Sequence, residues 1–397
     1  MKAQDQPRAS IIIIAYNAGR TIEQAVQSAC EQSEKRIEIL CVDDGSTDAT
    51  ADRVRRLAAR DPRIQMIAQP HGGPLAARYT GVQHATGGWT MFLDADDLLS
   101  PIAVRTACDA AEEVGADVLE FGVEMVKNSD CPPSDAYWNW LERFFSQQKP
   151  LPKKVCGPEM INACFDGMAF PHNVWNKLYR TDLLRAALGE YRGERLGFWE
   201  DLLITLMVLC HMERYARIPT KLYTYTIGGG MTTTPAHGVS ADALRSNGIE
   251  WLALKLAREW LDKIGYPQDE IAPAMAAITR NIQESVCSSL TERYSPDARR
   301  EYLMGLAEIC TREEYAELVA LCIDRQQTLL ERSAQEDRQL RESMARIQAH
   351  ADQLKAQNIA LKESFDTISN AFFWRITKPL RVMLDALKKV LRSDTRM

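Results

Sequence analysis

No stretch of this 397-residue chain holds the roughly 20 apolar residues that a membrane span needs, and the run Ile11 to Ile14 falls far short of it. The N-terminus MKAQDQPRAS lacks the charged-then-apolar layout of a secretory signal. Ten cysteines are scattered singly without a CxxC pair, which argues against a disulfide framework or zinc ribbon and for reduced thiols in the cytosol. Six histidines form neither HxH nor HExxH, so a zinc centre has no ligand spacing to rest on. After the first apolar run the chain reads AYNAGRT where a dinucleotide-binding turn would need GxGxxG, and no GxxxxGK[ST] occurs. A net charge of −6 gives no reason to expect nucleic acid as a partner. These absences leave a soluble cytoplasmic protein, or one attached to a membrane surface.

An apolar content of 46% with 26% charged residues suits a globular chain with a real core, and the length allows two domains or one large one with appendages. Residues 10–15, SIIIIA, carry four consecutive isoleucines and are read as a strand buried on both faces. Strands at 37–42, 64–68 and 89–93 alternate with helices at 21–31, 49–59 and 75–85. Such alternation implies α/β architecture: a mostly parallel sheet with helices on both faces. Ligands of such sheets bind beyond the carboxyl ends of the strands. Both acid clusters, Asp43-Asp44 and Asp94-Ala95-Asp96-Asp97, fall there.

The second cluster dominates the reading. In MFLDADDLL an apolar strand runs straight into three carboxylates. They cannot all stay ionised at close range without a cation or protons. The plainer alternative is a solvated turn or helix N-cap. With no glycine-rich cradle, a bound diphosphate would need Mg²⁺ or Mn²⁺, which share oxygen ligands between carboxylates and phosphates.

The stretches IIIIAYNAGRTIEQAVQSACEQ, IEILCVDDGSTD, GGPLAARYTGVQHATGGW, MFLDADDLL, NVWNKLYRTDLL and FWEDLL, in this order, resemble the family 2 glycosyltransferases over residues 9–235. The resemblance implies the GT-A fold and inverting transfer from a nucleotide-sugar donor, with a UDP-sugar favoured. It implies that Ala15, Tyr16 and Asn17 form the loop over the nucleotide and that Asp44 accepts a hydrogen bond from the base imide. Asp94-Ala95-Asp96 would be the DxD motif, with Asp94 near ribose or metal and Asp96 the direct ligand of Mn²⁺ or Mg²⁺; Asp97 would support the turn. Glu200-Asp201 would be the ED pair, with Asp201 the general base after the apolar approach Gly197-Phe198-Trp199. The alternative for Asp201 is a helix N-terminal acid that satisfies the macrodipole. Ile14 stands where many members have proline, which affects loop stiffness more than chemistry.

Between aromatics, Asn176 and Lys177 are candidates to line a cleft and touch phosphate or acceptor; Trp175, Leu178 and Tyr179 read as core. His172 and His211 read as a wall residue and a satisfied helix residue. Residues 223–232, ending in Gly228-Gly229-Gly230-Met231-Thr232, are a candidate lid or an ordinary turn. The insert 127–154, with Pro132, Pro133, Trp138, Trp140, Phe144 and Phe145, could stack on acceptor rings or pack on the domain.

Residues 1–235 are thus expected to form the catalytic domain and 236–322 a helical extension. From Leu340 through Met344, Ile347, Ala351, Leu354, Asn358, Leu361, Phe365 and Ile368 to Phe372 the stripe alternates by four and three. Residues 323–372 therefore read as a coiled coil that joins a homo-oligomer, the alternative being a lone helix folded back. The tail 373–397 sets Leu380, Leu384, Leu387 and Leu391 against Arg381, Lys388, Lys389 and Arg392. That pattern suits the anionic inner face of a cytoplasmic membrane, the alternative being a solvated helix or a partner-binding segment. The acceptor expected is a glycan or lipid-linked hydroxyl in surface-polysaccharide synthesis. An inactive transferase-like scaffold is the rival, and the retention of Asp44, Asp94, Asp96 and Asp201 argues against it.

Overall fold

The computed structural model of the chain describes residues 6–130, 132, 133, 135–146, 151–166, 172–189, 191, 193, 196, 199–228, 250–288, 290 and 296–393. The chain opens with β1 (Ala9–Ala15), α1 (Ile22–Cys30), β2 (Ile37–Asp43), α2 (Thr50–Ala58), β3 (Ile64–Ala68), α3 (Pro74–His84) and β4 (Trp89–Asp94). The alternation along β1 sorts its side chains into two layers. Ile11 and Ile13 pack with Ile22 and Val26 of α1, while Ile12 packs with Leu75 and Val82 of α3.

The chain continues through β5 (Leu98–Leu99), α4 (Ala103–Val114), β6 (Val118–Lys127), α5 (Asp135–Ser146), α6 (Gly157–Phe165), β7 (Lys177–Arg180), α7 (Thr181–Leu188), α8 (Glu200–His211) and β8 (Tyr215–Ile227). One eight-stranded sheet results, in the order β3-β2-β1-β4-β7-β6-β8-β5. The expectation of a mostly parallel sheet needs correction, because the sheet is mixed. Strands β3, β2, β1 and β4 are mutually parallel, and β6 is parallel to β8. By contrast β7 runs antiparallel to both β4 and β6, and β5 antiparallel to β8. Hydrophobic periodicity registers that a strand exists and is silent about its direction, so the four-residue β7 could reverse the sheet without a trace in the pattern.

Beyond β8 come α9 (Glu250–Lys263), α10 (Ala272–Ser288), α11 (Pro296–Ile309) and α12 (Arg312–Ser393). Trp251 and Leu254 of α9 and Ile278 and Ile282 of α10 are buried in the same core cluster as Leu203 and Leu206 of α8. The helical extension therefore shares the core of the α/β part. The chain divides into two compact units, residues 1–323 and 324–397. The second unit is helical as far as Ser393, and its stripe residues Leu340, Met344, Ile347, Leu354 and Leu361 are exposed. The side chains of Phe365, Ile368, Phe372, Leu380, Arg381, Leu384, Leu387, Lys388, Lys389, Leu391 and Arg392 lie outside the described residues, as do Gly197, Phe198 and Gly229 to Thr232 and the side chain of Trp140. Among the described residues no helix is long and apolar enough to cross a membrane.

Part of the aromatic insert packs inward. The Phe145 ring lies 5.8 Å from Trp175, which stacks on Tyr223 at 4.6 Å and on Tyr225 at 4.9 Å.

Candidate active site

The first two β-strands end in loops that are stitched together. The Asp44 N–H donates to the Ala15 carbonyl at 2.8 Å, and the Asn17 N–H to Ser46 Oγ at 2.9 Å. Asn17 sits at φ 51 and accepts from the Thr47 N–H at 2.9 Å through its amide oxygen. Asparagine tolerates that left-handed turn because its short side chain bonds locally. The Asp44 carboxylate is buried and points into the 69–73 loop. It accepts from Gln69 Nε2 (2.7 Å) and the N–H groups of Gly72 and Gly73 (both 2.9 Å). His71 Nδ1 lies 2.8 Å from the same carboxylate, and the His71 ring stacks on Tyr16 at 4.1 Å. Gly45, at φ +77, lets the loop close: a Cβ there would stand 2.8 Å from the His71 nitrogen.

At the end of β4 the three acids separate. The Asp97 N–H donates to the Asp94 carbonyl at 3.1 Å, which closes the turn. The Asp97 side chain goes inward at 1% exposure and accepts from Tyr223 Oη and the Thr226 N–H, both at 2.7 Å. Tyr223 Oη in turn accepts from the Asp94 N–H at 3.2 Å. Burial, with Asp96 and Asp94 adding to it, holds the Asp97 carboxyl well above the usual range. Asp96 is pushed up to about 6 by burial and then by Asp94. The Asp96 backbone N–H offsets part of that rise, and among the described residues no cluster of three His, Cys, Asp or Glu could cage a metal. Mg²⁺ and Mn²⁺ at phosphates use one or two carboxylates and take their other ligands from phosphate and water. Asp94 and Asp96 fit that donor set.

The ED pair begins α8 behind Trp199, whose φ of 67 is unusual for a bulky residue. Such outliers persist where surrounding structure holds them. Arg78 of α3 joins this pair to the acids of β4. Its guanidinium lies 2.7 Å from Glu200, 3.0 Å from Asp94 and 3.6 Å from Asp201, with only 3% of the side chain exposed. Burial alone would lower the Arg78 pKa, and the three carboxylates more than reverse that, so the guanidinium stays charged. Three carboxylates against one guanidinium still leave an excess of negative charge. Burial raises Asp201 above the usual carboxylate range, with Arg78 and then Lys177 offsetting part of it; burial and Asp201 raise Glu200. The Val174 N–H reaches the Asp201 carboxylate, but among the described residues Oδ1 has no hydrogen-bond partner.

Asn176 and Lys177 differ from the expected cleft-lining pair: they are buried at 0% and 2% exposure. Lys177 Nζ donates to the Asn173 carbonyl and to Asn176 Oδ1, and Asn176 Nδ2 donates to the Phe121 carbonyl at 3.2 Å. They hold the 173–177 segment against β6, and Lys177 reaches Asp201 only through its charge. His172 faces Trp199 in parallel at 6.0 Å, and burial followed by Lys177 lowers its pKa to about 4, so it is neutral at pH 7. His211 Nδ1 donates to the Met207 carbonyl at 2.9 Å, as a satisfied helix residue does.

Arg78 escaped the sequence reading although a signal was present. Leu75, Arg78 and Val82 share the buried face of α3, and a cation in an apolar stripe needs a buried partner.

Residues 10–170 match the sequence profile of glycosyl transferase family 2. The uncharacterized glycosyltransferase EpsJ of Bacillus subtilis is 30% identical over 221 residues, covering 55% of this chain and 61% of EpsJ. The succinoglycan biosynthesis protein ExoO of Rhizobium meliloti is 36% identical over 121 residues, 30% of this chain and 34% of ExoO. The chain thus spans about three fifths of the length of EpsJ. Among solved structures, S. aureus TarS 1–349 in complex with UDP-GlcNAc is similar with a TM-score of 0.58 and 20% identity, over 83% of this chain and 92% of that one. That likeness is one of fold. Residues 10–170, within the N-terminal α/β domain, are thus similar to glycosyl transferase family 2.

Proposed function

We propose that the chain is a metal-dependent inverting hexosyltransferase. It moves a sugar from a UDP-sugar to a hydroxyl of a glycan or lipid-linked acceptor in cell-surface polysaccharide synthesis. The observation that carries the reading is the buried Arg78, which gathers Asp94 from the end of β4 and Asp201 from the start of α8 into one cluster. The UDP-GlcNAc bound by TarS and the part of ExoO in succinoglycan biosynthesis support the donor and acceptor classes.

In this reading Ala15, Tyr16 and Asn17 border the nucleotide and Asp44 meets the base imide. Asp94 and Asp96 would hold Mn²⁺ or Mg²⁺, which when bound stabilises the charge of the departing diphosphate. Asp201 takes the acceptor hydroxyl proton as the new oxygen–carbon bond forms and the anomeric bond to diphosphate breaks on the opposite face, so the configuration inverts. Glu200 and Arg78 hold Asp201, and Trp199 borders the acceptor side. Residues 323–372 join a parallel homo-oligomer through the exposed stripe, and residues 373–397 meet the inner face of an anionic cytoplasmic membrane.

Turnover across common nucleoside-diphosphate sugars with Mn²⁺ or Mg²⁺ tests the proposal; no turnover with any of them overturns it and favours the inactive scaffold. Within that assay Asp96→Ala should abolish cation-dependent turnover and leave melting nearly unchanged. Asp97→Ala should do the reverse. It leaves the buried Tyr223 hydroxyl and Thr226 N–H without an acceptor, which costs about 1–3 kcal/mol for such a group, and the folded fraction keeps more turnover.

The base must be deprotonated to act, so kcat/KM falls as pH drops through the Asp201 pKa. Because burial raises that pKa, the acid limb lies above the ordinary aspartate value of about 4. Lys177 lowers it, so Lys177→Met should move the limb to higher pH. A pH profile of kcat/KM checks both statements, and a limb that does not move removes Lys177 from the account.

A further inference from the structure

The Asp44 carboxylate has no room for a base. A carboxylate offers about four acceptor sites; here Gln69 Nε2, the Gly72 N–H and the Gly73 N–H take three of them at 2.7–2.9 Å, and His71 Nδ1 crowds the carboxylate at 2.8 Å. His71 Nδ1 also lies 3.2 Å from the Asp44 carbonyl oxygen. Facing two acceptors, Nδ1 is the nitrogen that carries a proton. The same imidazole stacks on Tyr16 at 4.1 Å with 23° between the planes. One ring therefore lies on Tyr16, assigned above to the loop over the nucleotide, and brings a ring nitrogen to 2.8 Å from the Asp44 carboxylate, assigned above to the base imide.

We infer that His71 is an internal plug of the base subsite: its imidazole occupies the place of an imide-bearing base and leaves when a nucleoside diphosphate binds. The inference rests on the reading of Tyr16 and Asp44 as that subsite. Of these four groups two are side chains, Gln69 and His71, and His71 is the one that also lies on Tyr16. Gly72 and Gly73 donate through the backbone that starts α3, and the backbone of residue 71 is packed on Gly45. The His71 side chain is 36% exposed and can turn about its own bonds while the loop stays in place. A plug of this kind lowers apparent nucleotide affinity by the fraction of time the subsite is open. It also favours rings that both stack and donate to a carboxylate, so a base without an imide N–H replaces only half of what His71 gives.

Calorimetric titration with UDP in the presence of Mg²⁺ tests this on wild type, His71→Ala, Tyr16→Ala and Asp44→Asn. His71→Ala should bind UDP roughly 3- to 10-fold more tightly, the size of one exposed hydrogen bond plus one stack. Tyr16→Ala and Asp44→Asn should bind it more weakly. Equal or weaker binding by His71→Ala overturns the plug. Unchanged binding by Tyr16→Ala and Asp44→Asn together overturns the base-subsite reading instead, so the two failures are distinct. A second readout does not depend on any variant folding well. In the wild-type NMR spectrum the His71 Cε1–H resonance, shifted by the Tyr16 ring, should move to its solvent position when UDP saturates the protein. A resonance that stays put also overturns the plug.

Discussion

Asp201→Asn should lower kcat by roughly 10²- to 10⁴-fold, the usual contribution of a positioned base, while the protein folds as before. The expectation on stability follows from the cluster. Burial already disfavours the Asp201 carboxylate, and one of its oxygens has no hydrogen-bond partner among the described residues. A neutral amide of nearly the same shape removes one of three negative charges around Arg78 and leaves Asp94 and Glu200 to pair with it. The melting temperature should therefore hold or rise. Donor KM should change little, because an acceptor-side base acts in the transition state and not in donor binding. Steady-state kinetics at saturating donor and cation, with calorimetric melting of the same sample, give all three numbers. A kcat within a few fold of wild type would send the acceptor proton elsewhere.

The part of the fold that sequence pattern reached is the part with uniform neighbours. In β1 and β2 nearly every residue is buried, so composition alone betrays them, and Ile22, Ala25, Val26 and Ala29 mark one face of α1 at helical spacing. The strands of the second half carry mixed signals. β6 includes Glu120, an acidic residue that is fully buried because Tyr215 and Arg217 of the neighbouring β8 satisfy it. β8 contains Pro219, tolerated because the register with β6 shifts between Phe121 and Gly122. Gly122 itself is needed there, since a Cβ would stand 2.6 Å from the Pro219 carbonyl oxygen. Each anomaly is resolved by a partner about a hundred residues away, which no local window contains. The same divide runs through the site. Asp44, Asp94, Asp96 and Asp201 are visible as acids beside apolar runs; Arg78 shows in the sequence only as a cation in an apolar stripe, and its partners, like those of His71, come from the loops and helices that fold onto them.

Arg78→Met should be the most damaging single change in the α/β domain. Methionine keeps much of the apolar stem but removes the only cation that touches Asp94, Glu200 and Asp201 among the described residues. Removing one partner of a buried ion pair typically costs about 3–5 kcal/mol, and here three carboxylates lose the same partner. They can recover part of that by taking up protons. Their native pKa values, already raised, would rise further above the unfolded values, so the native state would bind more protons than the unfolded one across that window. Stability of the variant should then increase as pH falls from neutral towards 5, where the wild type should gain less. Thermal melting at several pH values reads this directly, and a variant equally weakened at every pH would point to lost packing instead. Arg78→Lys separates charge from geometry. An ammonium is a point charge without the planar fork that meets Glu200 and Asp94 at once, so it should restore part of the stability and little of the turnover. Adding Glu200→Gln to Arg78→Met removes one of the orphaned charges and should recover part of the lost stability, a coupling that a double-mutant cycle measures. If the two changes were simply additive, the guanidinium would not be what holds the donor-side acids and the base in one frame.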